Sequence, residues 1–176
     1  MSKGRKSIVV NIGRIFQTIP PFFFSWIEIF FYKKDIKRYP FIVVISTPRS
    51  GSTLTYQILS RGTKSVFLTN LWNLLYALPL IGGIVSKRNE DNNEEFSSDR
   101  GLVSGIYGEA EGLKFWQYWS GQGLEETDQK IPIKRVKYLR RIFGSLLKND
   151  LPMMSGYLGH SLSINNLRKI FPGILF

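Results

Sequence analysis

An uninterrupted apolar run, a turn and a helical pattern follow one another in residues 41–59. Residues 41–45 read FIVVI with no polar alternation, which is typical of a strand covered on both faces in a parallel sheet. Turn residues follow at 46–51, and apolar residues then recur at helical spacing from Leu54 to Leu59. The pattern predicts a strand, a loop and a helix in direct succession.

The rest of the chain alternates between short apolar runs and helical patterns. Strands are predicted at residues 65–68, at 151–155 and from 174 onward, and helices at 70–80, 109–119, 132–149 and 162–171. Pro79 and the Gly82-Gly83 pair predict the end of the second helix. Strands that alternate with helices predict an α/β domain with a parallel sheet.

Two segments are predicted to face solvent. The polar stretch at residues 86–100, SKRNEDNNEEFSSDR, is expected to form a surface loop that can act as a mobile lid over an active site. The helix at 132–149 has an apolar stripe made of Val136, Leu139, Phe143, Leu146 and Leu147. Basic residues lie largely elsewhere on it: Lys134, Arg135, Lys137, Arg140 and Arg141. A solvated face is expected of them, and a patch for an anionic acceptor is the alternative.

The most apolar stretch, IPPFFFSWIEIFFY at residues 19–32, is shorter than the roughly 20 residues that a membrane span needs. It also lacks the small-residue cleavage site of a signal peptide. A basic cluster follows it: Lys33, Lys34, Lys37 and Arg38. A buried helix starting at Pro21 is predicted, with a membrane-surface anchor as the alternative. We divide the chain into an apolar and basic N-terminal segment, residues 1–40, and a domain at 41–176.

The composition limits which partners and which kinds of catalytic or metal site the sequence can provide. The 24 Lys and Arg against 13 Asp and Glu give a formal net charge of +11, which attracts anionic partners. No zinc finger, helix-turn-helix or RNA-binding module is visible, so a nucleic-acid partner is not expected. The sequence has no cysteine and one histidine, His160, which excludes disulfides, thiolate catalysis and Cys-based or multi-histidine metal sites within it.

The loop STPRSGST, at residues 46–53, has the chemistry of an anion site. Backbone N–H groups at a helix start bind anions, and Gly51 permits close approach. The loop adds side-chain donors suited to phosphate or sulfate oxygens: Arg49, Ser50, Ser52 and Thr53. It is not a standard nucleotide-triphosphate loop, because Ser52 and not a Lys follows the glycine. A strand-to-helix connection capped by Ser50 or Ser52 is the structural alternative.

The longer string FIVVISTPRSGSTLTYQIL, at residues 41–59, resembles the 5′-phosphosulfate loop of the sulfotransferase superfamily. In that family a hydrophobic strand runs into P-[RK]-S-G-[ST]-[ST] and a helix. Residues 159–176, GHSLSINNLRKIFPGILF, are similar to the family segment in which a helix ends at Phe-Pro and enters the next strand. The resemblance implies a P-loop-like three-layer α/β/α fold with a parallel sheet over residues 41–176.

The resemblance also implies a reaction. A sulfuryl group would pass from 3′-phosphoadenosine 5′-phosphosulfate (PAPS) to a hydroxyl or amine of a carbohydrate, lipid or small molecule, with no metal required. Catalysis would consist of in-line positioning and charge neutralisation. Arg49 would neutralise charge on the transferred group. The donor-binding residues implied are Thr47, Pro48, Arg49, Ser50, Gly51, Ser52, Thr53 and Leu54.

The acceptor needs a general base, which in this superfamily is usually a Glu or a His. Glu111 is the first candidate, because some bacterial members carry an acidic residue before a Phe-Trp pair, here Phe115-Trp116. Glu109 is the neighbouring candidate. An exposed carboxylate favoured by the helix dipole is the alternative interpretation of Glu111. His160, with an ordinary pKa near neutrality, is the remaining candidate, although a lone histidine more often packs.

The chain also departs from the family. Relatives carry a Glu about twenty residues after the loop, where this chain reads FLTNLW at 67–72, and a Lys where it has Ser155-Gly156-Tyr157. The family's 3′-phosphate site, an Arg and a Ser, would follow the strand beginning at Ile174. We therefore expect an incomplete C-terminal half and no turnover by this chain alone.

Two other functions compete with sulfuryl transfer. One is a P-loop small-molecule kinase, which the missing loop Lys disfavours. The other is a non-enzymatic basic protein that binds membrane surfaces or anionic glycans. A cytoplasmic location is expected, with membrane association as the alternative.

Overall fold

The structure, a computed structural model, describes residues 28, 30–31, 41–63, 65–87, 98–99, 102–121, 131–147 and 151–176. Within these residues helices accompany a small parallel sheet. The predicted α/β class is confirmed at this level.

The elements in chain order are β1 (Phe41–Val43), α1 (Ser52–Gly62), β2 (Val66–Phe67), α2 (Asn70–Leu74), α3 (Pro79–Lys87), β3 (Ser98–Asp99), β4 (Leu102–Val103), α4 (Leu113–Ser120), α5 (Ile133–Leu146), β5 (Met153–Ser155) and α6 (Ile164–Ile170). A 3-10 helix, Leu158–Leu162, lies between β5 and α6. The predicted succession of β1, a loop and α1 is confirmed.

The central strand of the sheet is β5, which pairs in parallel with β1 on one side and β2 on the other. Met153 stands opposite both Phe41 and Val66. On the outer side of β1, Ile42 forms a parallel bridge with Leu175, where the sequence predicts a further strand. Parallel strands need long crossover connections. The helix α1 lies in the connection between β1 and β2.

Aromatic side chains fill the core beside the sheet. Phe41 stacks on Phe171 with ring centroids 4.5 Å apart and contacts Trp116 and Phe143 at 5.9 and 5.8 Å. Each such side chain contributes about 1.5–3 kcal/mol through burial. The predicted stripe of α5 supplies part of this core: Leu139, Phe143 and Leu146 are buried, and Val136 and Leu147 pack against them.

The helix α1 turns a largely polar face inward. Its buried residues are Tyr56, Gln57 and Ser60. The apolar residues that predicted this helix, Leu54, Ile58 and Leu59, are exposed. Because the helix buries polar groups, its packing depends on hydrogen bonds and ion pairs as well as on apolar contacts.

The prediction that the second helix ends near Pro79 and Gly82-Gly83 is wrong. The helix α2 ends earlier, and α3 starts at Pro79 and continues through both glycines. Proline has no N–H group to leave unpaired in the first turn of a helix, so it is well suited to begin one. The buried carboxylate of Glu28 accepts the N–H groups of the two residues after Pro79, at 2.9 and 3.0 Å.

The two glycines of α3 let it approach its neighbours closely. A Cβ on Gly82 would lie 2.9 Å from Cδ1 of Trp72, and one on Gly83 would lie 2.6 Å from Cδ2 of Leu146. These separations are too short for side chains to be added without movement of the neighbours. Glycine therefore serves close packing in this helix and does not end it.

The polar stretch at residues 86–100 is not one continuous loop. Ser86 is buried in α3 and shares a 2.6 Å hydrogen bond with the hydroxyl of Thr69. Ser98–Asp99 forms β3, which pairs antiparallel with β4. Most of the stretch, residues 88–97, lies outside the described residues, and the predicted lid lies there with it.

Two arginines of α5 hydrogen-bond the ends of neighbouring helices. Arg140 donates to the carbonyls of the last two residues of α6, at 2.7 and 3.0 Å. Arg135 donates to a carbonyl in the last turn of α4 at 3.2 Å. The C-terminal end of a helix carries partial negative charge, so both contacts are favourable. The solvated basic face is therefore smaller than predicted, with Lys134 and Lys137 exposed.

Of the predicted N-terminal helix, only Glu28, Phe30 and Phe31 lie within the described residues. The division of the chain at residue 40 stays a prediction. Among the residues that the structure describes, none of the helices has both the length and the apolar character that a membrane crossing needs.

Candidate functional site

Three segments meet at the carboxyl edge of the parallel sheet. One leaves β1, a second leaves β5, and residues 108–111 run beside the end of β2. The N–H of Ala110 donates to the carbonyl of Leu68 at 2.8 Å, and the hydroxyl of Ser161 donates to the carbonyl of Ser46 at 3.1 Å. Open α/β sheets bind their ligands at this edge. Every predicted site residue lies on these segments or at the start of α1.

The loop after β1 bends through two residues in the left-handed region. Arg49 has φ 65 and Gly51 has φ 79. For a residue with a side chain, this conformation costs on the order of 1–2 kcal/mol, and such strain clusters at ligand sites. The N–H and hydroxyl of Ser50 both donate to the carbonyl of Thr47, at 3.3 and 2.8 Å. These bonds close the turn and hold Arg49 at its tip.

The helix α1 begins directly after this turn. Its N-cap is Gly51 and no side chain caps it, so the structural alternative of a cap by Ser50 or Ser52 is not observed. The N–H groups of the first turn of a helix have no partner within that helix. Residues 47–51 are exposed, and Ser52 and Thr53 are partly exposed. The helix start and the loop hydroxyls can therefore be reached by an anion from solvent.

Glu109 is buried in an ion pair. Arg61 donates from Nε to Oε1 at 2.5 Å and from Nη2 to Oε2 at 3.1 Å, and Gln57 donates to Oε2 at 3.4 Å. Burial opposes ionisation, but the hydrogen bonds and charge of Arg61 outweigh it, so the pKa of Glu109 is lowered. An ionised and fully engaged carboxylate fastens α1 to residues 108–111. It is poorly suited to accept a proton.

Glu111 has the opposite environment. It is partly buried, one residue before Gly112, the left-handed N-cap of α4 (φ 77), and burial raises the pKa of Glu111. Burial also raises the pKa of Tyr56 and of Tyr157; the charge of Glu109 and then that of Glu111 add to the shift of Tyr56, and the charge of Glu111 adds to that of Tyr157. A partly buried carboxylate with a raised pKa has the properties of a general base.

His160 lies in the core and is 1% exposed. Its Nε2 shares a 2.9 Å hydrogen bond with the hydroxyl of Ser155, and its ring packs on Trp116 at a centroid distance of 4.5 Å. Burial lowers the pKa of His160 to about 3, so the ring is neutral at physiological pH. This geometry favours a packing role over proton transfer.

The side chains around the two carboxylates were not predicted. Tyr56 donates to the carbonyl of Met154 at 3.3 Å, and Arg61 and Gln57 hold Glu109. Tyr56 and Gln57 lie on the buried face of α1, away from its exposed apolar residues, and Arg61 lies in the last turn of the helix. Only their helical spacing after the loop could have identified them in the sequence.

An open groove lies along α4. It has a volume of about 510 Å³ and is lined by Tyr76, Lys114, Gln117 and Tyr118. The rings of Tyr76 and Tyr118 meet edge to face at 5.4 Å. The groove offers aromatic and polar contacts, but none of its lining residues was predicted from the sequence.

Comparisons with known proteins assign no family. The chain matches no protein-family model, no curated protein and no solved structure. Among the residues that the structure describes, no three His, Cys, Asp or Glu side chains cluster as metal ligands would. The functional assignment therefore depends on the site itself.

Proposed function

We propose that the protein binds the 5′-phosphosulfate of PAPS at residues 47–54 and transfers the sulfuryl group to a hydroxyl or amine. The geometry of this loop is the main support for the proposal. An exposed turn holds Arg49 in a left-handed conformation and leads, through Gly51, into the uncapped start of an 11-residue helix. Backbone N–H groups, hydroxyls and a guanidinium at the carboxyl edge of a parallel sheet support binding of an esterified oxyanion.

In this proposal the loop residues have different roles in binding and charge neutralisation. The N–H groups of Gly51, Ser52 and Thr53 and the hydroxyls of Ser52 and Thr53 hold the 5′-phosphate. Arg49 neutralises charge on the sulfuryl group and on the leaving oxygen. Ser50 closes the turn through its bonds to Thr47, while Pro48 shapes the loop and Leu54 continues it into the helix.

Glu111 is the proposed general base. It takes the proton of the acceptor hydroxyl or amine as the acceptor atom attacks sulfur, and the bond between sulfur and the bridging phosphate oxygen breaks. The products are the sulfated acceptor and adenosine 3′,5′-bisphosphate. The raised pKa of Glu111 supports this role, since a base works best when its pKa lies near the working pH. Glu109 positions the segment through Arg61.

The three-layer P-loop-like arrangement is part of the same proposal. The parallel strands β1, β5 and β2, the pairing of Leu175 with β1, and the helix directly after β1 support it. Carbohydrates, lipids and small molecules stay equal as acceptors, and the groove lined by Tyr76 and Tyr118 is a candidate surface for them.

Thermal unfolding with added nucleotides tests the donor. Adenosine 3′,5′-bisphosphate without magnesium is expected to raise Tm, because a ligand at about 100 times its Kd adds about 2.7 kcal/mol, which is several degrees in a chain of this size. ATP with magnesium should raise Tm less. A shift with ATP and magnesium alone would favour the kinase alternative, and no shift with either would contradict nucleotide binding.

A further inference from the structure

Five exposed apolar residues lie on α3 or in the turn at residues 30–31. Phe30 is 76% exposed and Phe31 72%, and on α3 the values are 47% for Ile81, 63% for Ile84 and 37% for Val85. We call these five residues the α3 patch. Soluble proteins rarely expose large apolar side chains in groups, and such groups mark interaction surfaces.

Glu28 holds the two phenylalanines at this helix. Its carboxylate, 3% exposed, accepts the N–H groups of Leu80 and Ile81 at 2.9 and 3.0 Å. Its carbonyl accepts the N–H of Phe31 at 2.9 Å. The turn that carries Phe30 and Phe31 is therefore hydrogen-bonded to the N-terminal end of α3, next to Ile81.

The outer face of α3 is apolar although its packing does not require it. The inner face packs through Gly82 and Gly83 against Trp72 and Leu146. The exposed residues Ile81, Ile84 and Val85 have i, i+3 and i+4 spacing, so they form a single stripe on the other side. A helix that is apolar on both sides is typical of one buried on both sides.

The charge of the chain indicates what kind of surface covers the outer side of α3. The chain has a net charge of +11, which disfavours a second copy and favours an anionic surface. In the sequence, a basic cluster begins just after Phe31 and Tyr32: Lys33, Lys34, Lys37 and Arg38. Apolar side chains beside lysines are the combination that binds anionic bilayers at their interface. We propose that the α3 patch docks on an anionic lipid surface, with Phe30, Phe31 and Ile84 entering the headgroup layer.

Vesicle cosedimentation of the whole chain tests the docking. The vesicles are phosphatidylcholine alone, or phosphatidylcholine with about 30% phosphatidylserine. The wild-type chain is expected to bind the anionic vesicles, and the double variant Phe30→Ser, Phe31→Ser should bind them at least about tenfold more weakly, as should Ile84→Ser. The control is Ile133→Ser on α5, since Ile133 is also 76% exposed but lies outside the patch.

Three outcomes overturn the proposal. The first is undiminished binding by the double variant, and the second is an equal loss with Ile133→Ser, which would indicate unspecific adhesion. The third is a wild-type dimer in sedimentation equilibrium that the double variant abolishes, since the patch would then join two copies. Equal far-ultraviolet circular dichroism of all variants verifies that the loss is not unfolding, and the exposure of the substituted residues favours this.

Discussion

Replacing Arg61 with alanine is expected to lower the free energy of unfolding by about 3–5 kcal/mol, because it leaves the buried carboxylate of Glu109 without its countercharge. The Glu109 side chain is 2% exposed, and Arg61 provides both its shortest hydrogen bonds. Gln57, at 3.4 Å, is too distant to compensate. Urea denaturation at neutral pH measures the loss.

Two further variants separate lost charge pairing from lost packing. The double variant Arg61→Ala, Glu109→Gln should lose less than the single variant, since no charge then stays buried. Lys137→Ala, which removes an exposed cation on α5, should change stability by less than about 0.5 kcal/mol. A loss of under about 1 kcal/mol in Arg61→Ala, the value of an exposed pair, would contradict the account.

Acidification from about pH 7.5 to about pH 5 is expected to cost about 2 kcal/mol of stability through His160. The folded protein holds this histidine neutral, with a pKa of about 3 against an ordinary value of 6.5. Between these values the unfolded chain binds a proton that the folded chain does not, so stability is complete above 6.5 and falls as the pH is lowered toward 3. Urea denaturation at a series of pH values follows this loss.

The variant His160→Gln isolates this effect. It keeps a hydrogen-bonding side chain beside Ser155 but does not titrate, and the sequence has no other histidine. Glu111 changes stability in the opposite direction. Its pKa is raised in the folded chain, so as the pH falls the folded chain binds this proton before the unfolded chain does, and stability rises. The difference between wild type and variant should therefore grow as the pH falls from about 6.5 to about 5. Parallel stability curves for the two proteins would be evidence against a buried neutral ring.

The sequence predicted those parts of the fold that depend only on residues close together in the chain. The run at residues 41–45 and the turn at Pro48 and Gly51 predicted β1, the loop and α1 in their observed order. Gly82 and Gly83 misled the prediction, since a sequence cannot reveal that Trp72 and Leu146 approach them. The polar stretch misled it for the same reason, because Ser86 is buried by a partner, Thr69, that is distant in sequence.

The sequence also predicted only part of the candidate site. The loop is formed by consecutive residues, so residues 47–54 could be predicted together as one site. The environments of Glu109 and Glu111 depend on the tertiary packing: Arg61, far along the chain, lowers the pKa of Glu109, whereas burial raises that of Glu111. His160 has an ordinary sequence context, and its burial follows only from the packing of Trp116 and the sheet.

The central claim is that the turn at Arg49 and Gly51 binds an esterified oxyanion. Isothermal titration calorimetry of the chain with adenosine 3′,5′-bisphosphate, without magnesium, tests it most directly. Arg49→Ala should weaken binding about 10-fold or more, the value of a lost charge-assisted hydrogen bond, whereas Arg168→Ala, an exposed arginine on α6, should leave affinity nearly unchanged. Equal affinities for wild type and both variants would contradict the claim.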